Sequence, residues 1–284
     1  MDWNPRGRIA LIGTLDTKGD EILFVKQRLC GLGVQVLVID AGVLGSPLFH
    51  PDVSRGEIAA RAGTRLDDLV LARDRGKAIT ATERGLASWF ERRDTIAGVL
   101  AIGGSAGTSI ATAGMRELPV GVPKLMVSTL ASGNTRPYIG TSDIAMLYPV
   151  GDFTGLNRLT RNILANAANA IAGMCSLPAP EATAGDQRPL LAATMFGVTT
   201  PCVNRVRELL EAEGFELLVF HATGAGGQAM EQLIRDGFIR GVLDITTTEL
   251  ADELVGGVLS AGPHRLEAAG SLGIPQVISV GATW

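Results

Sequence analysis

Short apolar runs alternate with amphipathic segments through the first half of the chain. Runs with the length and composition of buried strands lie at 8–12, 34–39, 99–102 and 124–129. Helical spacing of apolar residues predicts helices at 22–32, 57–61, 66–73, 78–92 and 156–174. Strands that alternate with helices predict an α/β fold, in which a parallel sheet is doubly wound by helices as in Rossmann-like units.

The stretch from 96 to 108 combines a strand, a glycine-rich turn and the start of a helix. The apolar residues 99–102 run directly into the segment 103–108, and a helix is predicted over 109–117. This order brings backbone N–H groups and a helix N-terminus together, where the helix dipole favours an anion. The stretch is therefore typical of a phosphate site. It is equally typical of a tight strand-to-helix turn, and both interpretations stay open.

The loop after the first strand contains no standard nucleotide motif. Lys18 precedes Gly19 without a following Gly-Lys-Ser/Thr, and the dinucleotide glycine fingerprint is missing as well. The loop still offers hydroxyls, a carboxylate and an ammonium group, which suit phosphate and a divalent cation. Alternatively, Thr17 or Asp16 caps the following helix. Asp40 closes the second strand, as the ribose-binding carboxylate of dinucleotide folds does, or else bonds its own loop.

Polar, glycine-rich loops recur near the ends of the later strands. Segment 130–134 follows the fourth apolar run, and segment 138–144 comes before a short run that ends at Leu147. The carboxyl ends of parallel strands line one edge of a sheet, so we expect these loops to converge. That convergence favours the phosphate interpretation.

The second half of the chain repeats the plan of the first. Three segments have counterparts in the same order: 33–40 with 214–221, 96–102 with 239–245, and 121–125 with 273–277. We therefore predict two α/β units related by internal duplication. The glycine cradle is not duplicated, because the second unit carries Thr246, Thr247, Thr248 and Glu249 at the corresponding strand end.

A segment of linker composition divides the two predicted units. The first unit spans 1–177 and includes a helical insertion at about 43–94, the linker covers 178–188, and the second unit spans 189–284.

The amino-acid composition argues against some classes of function and some cellular locations. A net charge of −4 and 5% aromatic residues argue against a nucleic-acid surface. Cys30, Cys175 and Cys202 are far apart in apolar stretches, which predicts buried free thiols in a reducing compartment. Neither a signal peptide nor a membrane-length apolar run is recognisable, so we expect a cytoplasmic protein without membrane contact.

These motifs carry a resemblance that runs from Ile9 to Gly281. Segments 13–19, 103–108, 140–143 and 220–224 resemble the ATP-binding domain family of the tomato mosaic virus resistance protein, which includes bacterial and fungal members. The resemblance implies two Rossmann-like subdomains, ATP with magnesium in the first, and homodimers. Relatives continue beyond the last strand, so we expect the second unit to lack its C-terminal part.

The resemblance also implies roles for individual residues. Phosphates would lie on the glycine-rich turn with Thr17 and Lys18, magnesium nearest Asp16 or Asp143, and the ribose near Asp40. The expected nucleotide-binding residues are Thr14, Asp16, Thr17, Lys18, Asp40, Gly42, Gly103, Gly104, Ser105, Gly107, Thr108, Ser132, Gly133, Asn134, Thr141, Ser142 and Asp143. For Asp143 a turn cap, and for Lys18 a solvated helix-end charge, remain the alternatives.

Two functional hypotheses follow. The first is a binding module in which ATP stabilises one conformation or interface, with a protein partner recognised on the surface. The second is an ATP-dependent phosphotransferase or ligase acting on a small molecule between the units. Its candidate catalytic residues are His221, Glu249, His264 and Arg265. An oxidoreductase ranks third, because the dinucleotide fingerprint is absent.

Overall fold

The computed structural model describes residues 7–91, 96–176 and 188–283. The chain forms two compact units, residues 1–179 and 180–284. The predicted linker at 178–188 lies almost entirely outside the described residues.

The first unit is a parallel sheet with helices on both faces. Within the described residues its sheet has five strands in the order β2-β1-β3-β4-β5. In chain order its elements are β1 (Arg8–Gly13), α1 (Gly19–Gly31), β2 (Val36–Asp40), α2 (Arg55–Arg61), α3 (Leu66–Ala72), α4 (Arg75–Phe90), β3 (Ile96–Gly103), α5 (Ser105–Met115), β4 (Lys124–Ser128), α6 (Arg136–Ile139), β5 (Ala145–Leu147) and α7 (Arg158–Ser176).

Successive side chains along each strand pack alternately into two apolar layers, one on each face of the sheet. Ile9 and Leu11 of β1 point into the layer formed with α1 and α7. Ala10 and Ile12 point into the opposite layer, formed with α2, α4 and α5. Strands β1 to β4 are buried on both faces, which explains their continuous apolar runs. Each fully buried Leu or Ile contributes about 1.5–3 kcal/mol to folding.

The predicted insertion at 43–94 proves to be only partly an insertion. Helix α4 packs against α5 so closely that a Cβ on Gly114 would lie 2.8 Å from carbon atoms of Leu86 and Phe90. It is therefore the crossover helix that a parallel β2-to-β3 connection requires. Only α2 and α3 are extra relative to the second unit.

Helix α5 begins four residues before its predicted start. Gly104 is extended and precedes the helix, and the Thr108 backbone N–H donates to the Gly104 carbonyl over 2.8 Å. The glycine-rich segment is thus the first turn of a helix and not a free loop. The difference arises because glycines lower the helix propensity of a segment that tertiary contacts hold helical.

The second unit repeats the strand order of the first. Within its described residues the sheet is parallel and has the order β7-β6-β8-β9, equivalent to β2-β1-β3-β4. Its elements are β6 (Leu190–Met195), a 3₁₀ turn (Gly197–Thr199), α8 (Thr200–Ala212), β7 (Glu216–His221), α9 (Ala225–Arg235), β8 (Gly241–Thr246), α10 (Thr248–Val255), α11 (Glu267–Ser271) and β9 (Gln276–Gly281). Both units are Rossmann-like.

The cysteine prediction is wrong at two of the three positions. All three thiols are free, but Cys30 and Cys202 are exposed and only Cys175 is buried. The first two lie on the outer sides of α1 and α8, where a single apolar residue is common. Among the residues described, no helix combines the length and apolarity that crossing a bilayer requires.

Candidate functional site

The strand order creates a crevice at the carboxyl ends of β1 and β3. From β1 the chain moves outward to β2, then returns to β3 on the other side of β1. Open α/β sheets bind ligands at such a switch point, because the two connecting loops separate there. The β1–α1 loop, residues 14–18, and the start of α5 flank this crevice.

The start of α5 presents uncapped backbone N–H groups at the crevice. The first N–H groups of any helix have no partner within the helix. Gly104 has no side chain to cap them, and the first turn of α5 contains no acidic residue. Ser105 is exposed there. The helix dipole therefore offers an uncompensated positive end to an anion.

Glycine is required where β3 enters α5. A Cβ on Gly103 would lie 2.8 Å from the Cα of Gly107, closer than real Cβ contacts. A Cβ on Gly104 would meet only Thr129 Oγ1, at 3.8 Å. Gly103 thus allows the turn, whereas Gly104 leaves open space in front of the helix.

A buried hydroxyl pair fixes this turn to the next strand. Thr108 Oγ1 lies 2.7 Å from the Gly104 carbonyl oxygen and 2.6 Å from Ser128 Oγ. The Thr129 N–H donates to the Gly103 carbonyl over 3.4 Å. The carboxyl ends of β3 and β4 therefore meet, as the sequence predicted. Ser132, Gly133 and Asn134 follow β4 on the surface.

The loop after β1 is arranged by internal contacts. The hydroxyls of Thr14 and Thr17 lie 2.6 Å apart. The Lys18 ammonium donates to the Phe153 carbonyl and lies 5.8 Å from the centre of the Phe153 ring. Lys18 is thus neither a solvated charge nor directed at α5 in this structure. Two acidic residues, Asp20 and Glu21, occupy the first turn of α1, so that helix is a poorer anion site.

An ion cluster joins the loops that follow β1 and β2. Asp40 is fully buried, and its carboxylate accepts from the backbone N–H groups of Leu15 at 3.1 Å and Gly42 at 2.9 Å. Arg55 Nε donates to Asp40 over 2.7 Å. Asp40 therefore holds its own loop, the alternative left open by the sequence.

Arg55 bridges the two carboxylates and was missed by sequence reasoning. Its Nη1 lies 3.4 Å from Asp16 Oδ2 and also donates to the Gly45 carbonyl. Arg55 begins α2 directly after the Ser54 N-cap, so locally it resembles an ordinary helix-start residue. Its burial against Asp16 and Asp40 depends on contacts distant in sequence, for which a single sequence has no pattern.

Thr141, Ser142 and Asp143 do not join the crevice. The Asp143 carboxylate accepts from Lys124 Nζ over 2.6 Å and from the Gly121 N–H over 2.8 Å. Lys124 is the first residue of β4, so Asp143 lies at the amino edge of the sheet, opposite the crevice. The prediction that segment 138–144 converges with the other loops is therefore wrong. This segment leads into β5, so it lies at the amino ends of the strands and not at their carboxyl ends.

Two candidate catalytic residues of the second unit belong to a buried ion network. Arg265 Nε donates to Glu249 Oε2 over 2.8 Å, and Glu249 Oε1 accepts from the Gly224 and Gly227 N–H groups at 2.7 and 3.0 Å. The Glu249 carboxylate thus caps α9. Because Arg265 and Glu249 are both buried and fully bonded, the network is structural.

The two candidate histidines are exposed and lie in different parts of the second unit. His221 ends β7 and packs edge-on against the Phe196 ring at 5.4 Å. His264 Nδ1 lies 2.9 Å from Glu267 Oε2 on the surface. Across the described ranges, no cluster of three or more His, Cys, Asp or Glu side chains is placed to hold a metal ion.

Comparisons with known proteins place the chain in a family. The family profiles described as the N-terminal and C-terminal domains of the uncharacterised protein family UPF0261 match residues 7–180 and 188–283. A UPF0261 protein of Clostridium tetani is 52% identical over 97% of this chain and 68% of its own length. The ToMV resistance protein Tm-1(GCR237) of Solanum lycopersicum is 40% identical over 97% of this chain and 39% of its own length.

Similarity to solved structures is much weaker. The Streptomyces sp. SF2575 glycosyltransferase SsfS6, complexed with thymidine diphosphate, is 12% identical with a TM-score of 0.22, covering 98% of this chain and 83% of that chain. The family profiles, in contrast, together span both units, and the chain belongs to the UPF0261 family.

Proposed function

We propose that the first unit binds ATP, with the phosphates on the N-terminus of α5 at the β1/β3 crevice. The observation that carries this proposal is the uncapped first turn behind Gly104, at the switch point of the sheet. A phosphate chain would accept from its free N–H groups and compensate the helix dipole. The hydroxyls of Thr14 and Thr17 at the end of the neighbouring strand are suited to further contacts.

Magnesium would enter with the nucleotide. Mg²⁺ keeps several waters and is commonly held by one or two carboxylates together with substrate phosphates. Asp16 is at the correct edge of the sheet but is paired with Arg55, whose positive charge opposes a cation there. Asp143 is at the other edge. We therefore assign the ion to the phosphates and water, without a dedicated carboxylate site.

A role as a binding module fits the described residues better than catalysis. Arg265 and Glu249 stabilise the interior of the second unit, so the enzyme hypothesis loses two of its four candidates. The relative Tm-1(GCR237) is named as a ToMV resistance protein. We propose that ATP stabilises one conformation or a homodimer interface that a partner recognises.

Calorimetric titration with ATP and with NAD, each with and without magnesium, tests the proposal. In Gly104→Val the new side chain fills the space in front of α5, and the extended backbone of Gly104 tolerates it. We expect this variant to bind ATP at least about tenfold more weakly than the wild type. Gly173→Val in α7 is the matched control, because beyond its own turn of helix no atom lies within 4 Å of its Cβ position.

Two outcomes would contradict the proposal. One is an absence of ATP binding to folded wild-type protein. The other is equal ATP affinity in the wild type and Gly104→Val, which would move any nucleotide site away from α5. Binding of NAD in preference to ATP would return the oxidoreductase hypothesis to first place.

A further inference from the structure

The last strand of the second sheet exposes apolar side chains on both of its faces. Val277, Ile278 and Val280 of β9 are 64%, 54% and 80% exposed. Val277 lies beside Leu243 of β8 on the face that α8 covers, and Ile278 lies beside Asp244 on the opposite face. Single exposed apolar residues are common, but several on one strand mark an interaction surface. Strand β9 is therefore such a surface.

The outer edge of β9 is also open. Within the described residues β9 ends the sheet order β7-β6-β8-β9, and its described strand partner is β8. The outer N–H and C=O groups of an end strand have no strand to pair with, and proteins commonly protect such an edge with a charged residue or a proline. The sequence of β9, Gln276–Gly281, contains neither. The edge can therefore accept a further strand.

The internal duplication shows which elements cover the corresponding strand of the first unit. Strand β4 is the counterpart of β9, and its residues Leu125, Met126 and Val127 are all buried. Strand β5 pairs in parallel with the outer edge of β4, and helix α7 packs on the layer that contains Leu125 and Val127. Among the described residues of the second unit, no strand or helix corresponds to β5 or α7. The exposed surface of β9 therefore matches the place of one strand and one helix.

The place of that helix is recognisable on the sheet face beside α8. In the first unit, Leu100 and Ile102 of β3 are buried in the layer formed with α1 and α7. Their counterparts in the repeat are Leu243 and Ile245 of β8, which pack with α8 alone among the described helices and stay partly exposed. A second helix laid on β8 and β9 would bury these side chains together with Val277. The surface beside α8 therefore fits a helix with one apolar side.

An unpaired amide gives an independent indication. Gln276 Nε2, at the start of β9, is buried and has no hydrogen-bond partner among the described residues. Buried polar groups nearly always have one. The counterpart of Gln276 in the repeat is Lys124, whose Nζ donates over 2.6 Å to the carboxylate of Asp143, in the segment that leads into β5. An acceptor that precedes an added strand would therefore satisfy Gln276 in the same way.

We infer that β9 docks a partner polypeptide that consists of an apolar strand followed by an amphipathic helix. The strand adds to the open edge in parallel with β9, and a carbonyl or carboxylate oxygen before it accepts from Gln276 Nε2. The helix lies on β8 and β9 beside α8 and presents small and apolar side chains there, as α7 does with Leu164, Ala168 and Ile171. This surface belongs to the second unit, so it does not depend on the nucleotide proposed for the first.

A peptide with the sequence of residues 141–176 is the probe, because it contains β5, α7 and the Asp143 acceptor. Calorimetric titration measures its affinity for the full chain as wild type, Val277→Lys and Leu71→Lys. We expect Val277→Lys to bind at least about tenfold more weakly than the wild type, because docking would bury an unpaired ammonium group. Leu71→Lys is the matched control and should bind like the wild type, since Leu71 is similarly exposed but lies in α3 of the first unit. Both positions are exposed in the free protein, so neither lysine should impair folding.

Hydrogen exchange followed by mass spectrometry locates the bound peptide. The backbone amides of β9 should exchange more slowly in the complex, because an added strand pairs with those at the outer edge. A peptide of the same composition in scrambled order should have no such effect. No binding of the 141–176 peptide to the wild type, or equal binding to Val277→Lys, would overturn the inference. A concentration-dependent dimer of the chain alone with β9 already protected would overturn it as well, because a second copy would then occupy the edge.

Discussion

Arg265 and Asp244 form a two-pronged ion pair in the interior of the second unit. The Nη1–Oδ2 and Nη2–Oδ1 distances are both 2.6 Å. Burial alone would lower the pKa of Arg265, but Asp244 and then Glu249 raise it above its ordinary value. The guanidinium therefore stays charged, and it ties β8 to the start of α10.

Removing Arg265 should destabilise the second unit strongly. Arg265→Ala leaves Asp244 and Glu249 as buried carboxylates without their cation, which typically costs about 3–5 kcal/mol. Urea unfolding followed by circular dichroism measures the loss. Arg205→Ala is the control, because its ion pair with Glu208 is exposed and worth at most about 1 kcal/mol. Equal stability of the two variants would contradict a structural role for Arg265.

The glycines at the β3–α5 turn should differ in what they tolerate. Gly103→Ala forces a Cβ against the Gly107 backbone at 2.8 Å, and such overpacking costs about 1–3 kcal/mol. Gly104→Ala meets only Thr129 Oγ1 at 3.8 Å and should change the melting temperature little. Differential scanning calorimetry of both variants measures which one has the lower melting temperature. A larger loss in Gly104→Ala would show that the close approach at Gly103 is misassigned.

Substitution of Asp143 should lower stability without changing the magnesium dependence of ATP binding. Asp143→Asn weakens the bond that the fully buried Lys124 makes to its carboxylate, so the melting temperature should fall. The dependence of ATP affinity on magnesium should stay unchanged, because Asp143 lies at the amino edge of the sheet. Titration of ATP at several magnesium concentrations measures this. A weaker magnesium dependence in Asp143→Asn would restore its proposed role as a ligand.

The three cysteines should differ in reactivity. Burial raises the pKa of Cys175 to about 12, so its thiol stays protonated in mildly alkaline buffer and is shielded. Cys30 and Cys202 are exposed. A thiol titration of native protein should therefore count two fast groups, and a third only after denaturation. Three fast groups in native protein would contradict the burial of Cys175.

The same pKa shift predicts a loss of stability in alkali. The thiol of the unfolded chain titrates near the ordinary cysteine pKa of 9.0, whereas the folded one holds its proton until about pH 12. Between these values the native state binds more protons, so the free energy of unfolding falls as pH rises. The Cys175 contribution is complete below pH 9.0 and lost by about pH 12. Cys175→Ala should remove this part of the pH dependence.

The sequence by itself determined the alternation of strands and helices and the two-unit plan. Buried parallel strands need continuous apolar residues and their helices need one apolar side, so both elements are visible in local patterns. The duplicated segments predicted two units of one plan, and the two sheets share one strand order. The glycine-rich stretch after β3 predicted a tight strand-to-helix turn, which is present because the close backbone approach at Gly103 requires a residue without a Cβ.

Only the tertiary structure decided what the charged residues do. Asp16, Asp40 and Arg55 meet from the β1–α1 loop, the end of β2 and the start of α2. In the second unit, Asp244, Glu249 and Arg265 meet from β8, the start of α10 and the loop before α11. Their pairing depends on burial and on distances set by the assembled sheet, and no local spacing encodes either. The path of the chain after β4 likewise carries Asp143 to the opposite edge. The sequence can therefore mark a polar residue near a strand end only as a possible site residue. Its edge of the sheet and the charge that it contacts are known only from the fold.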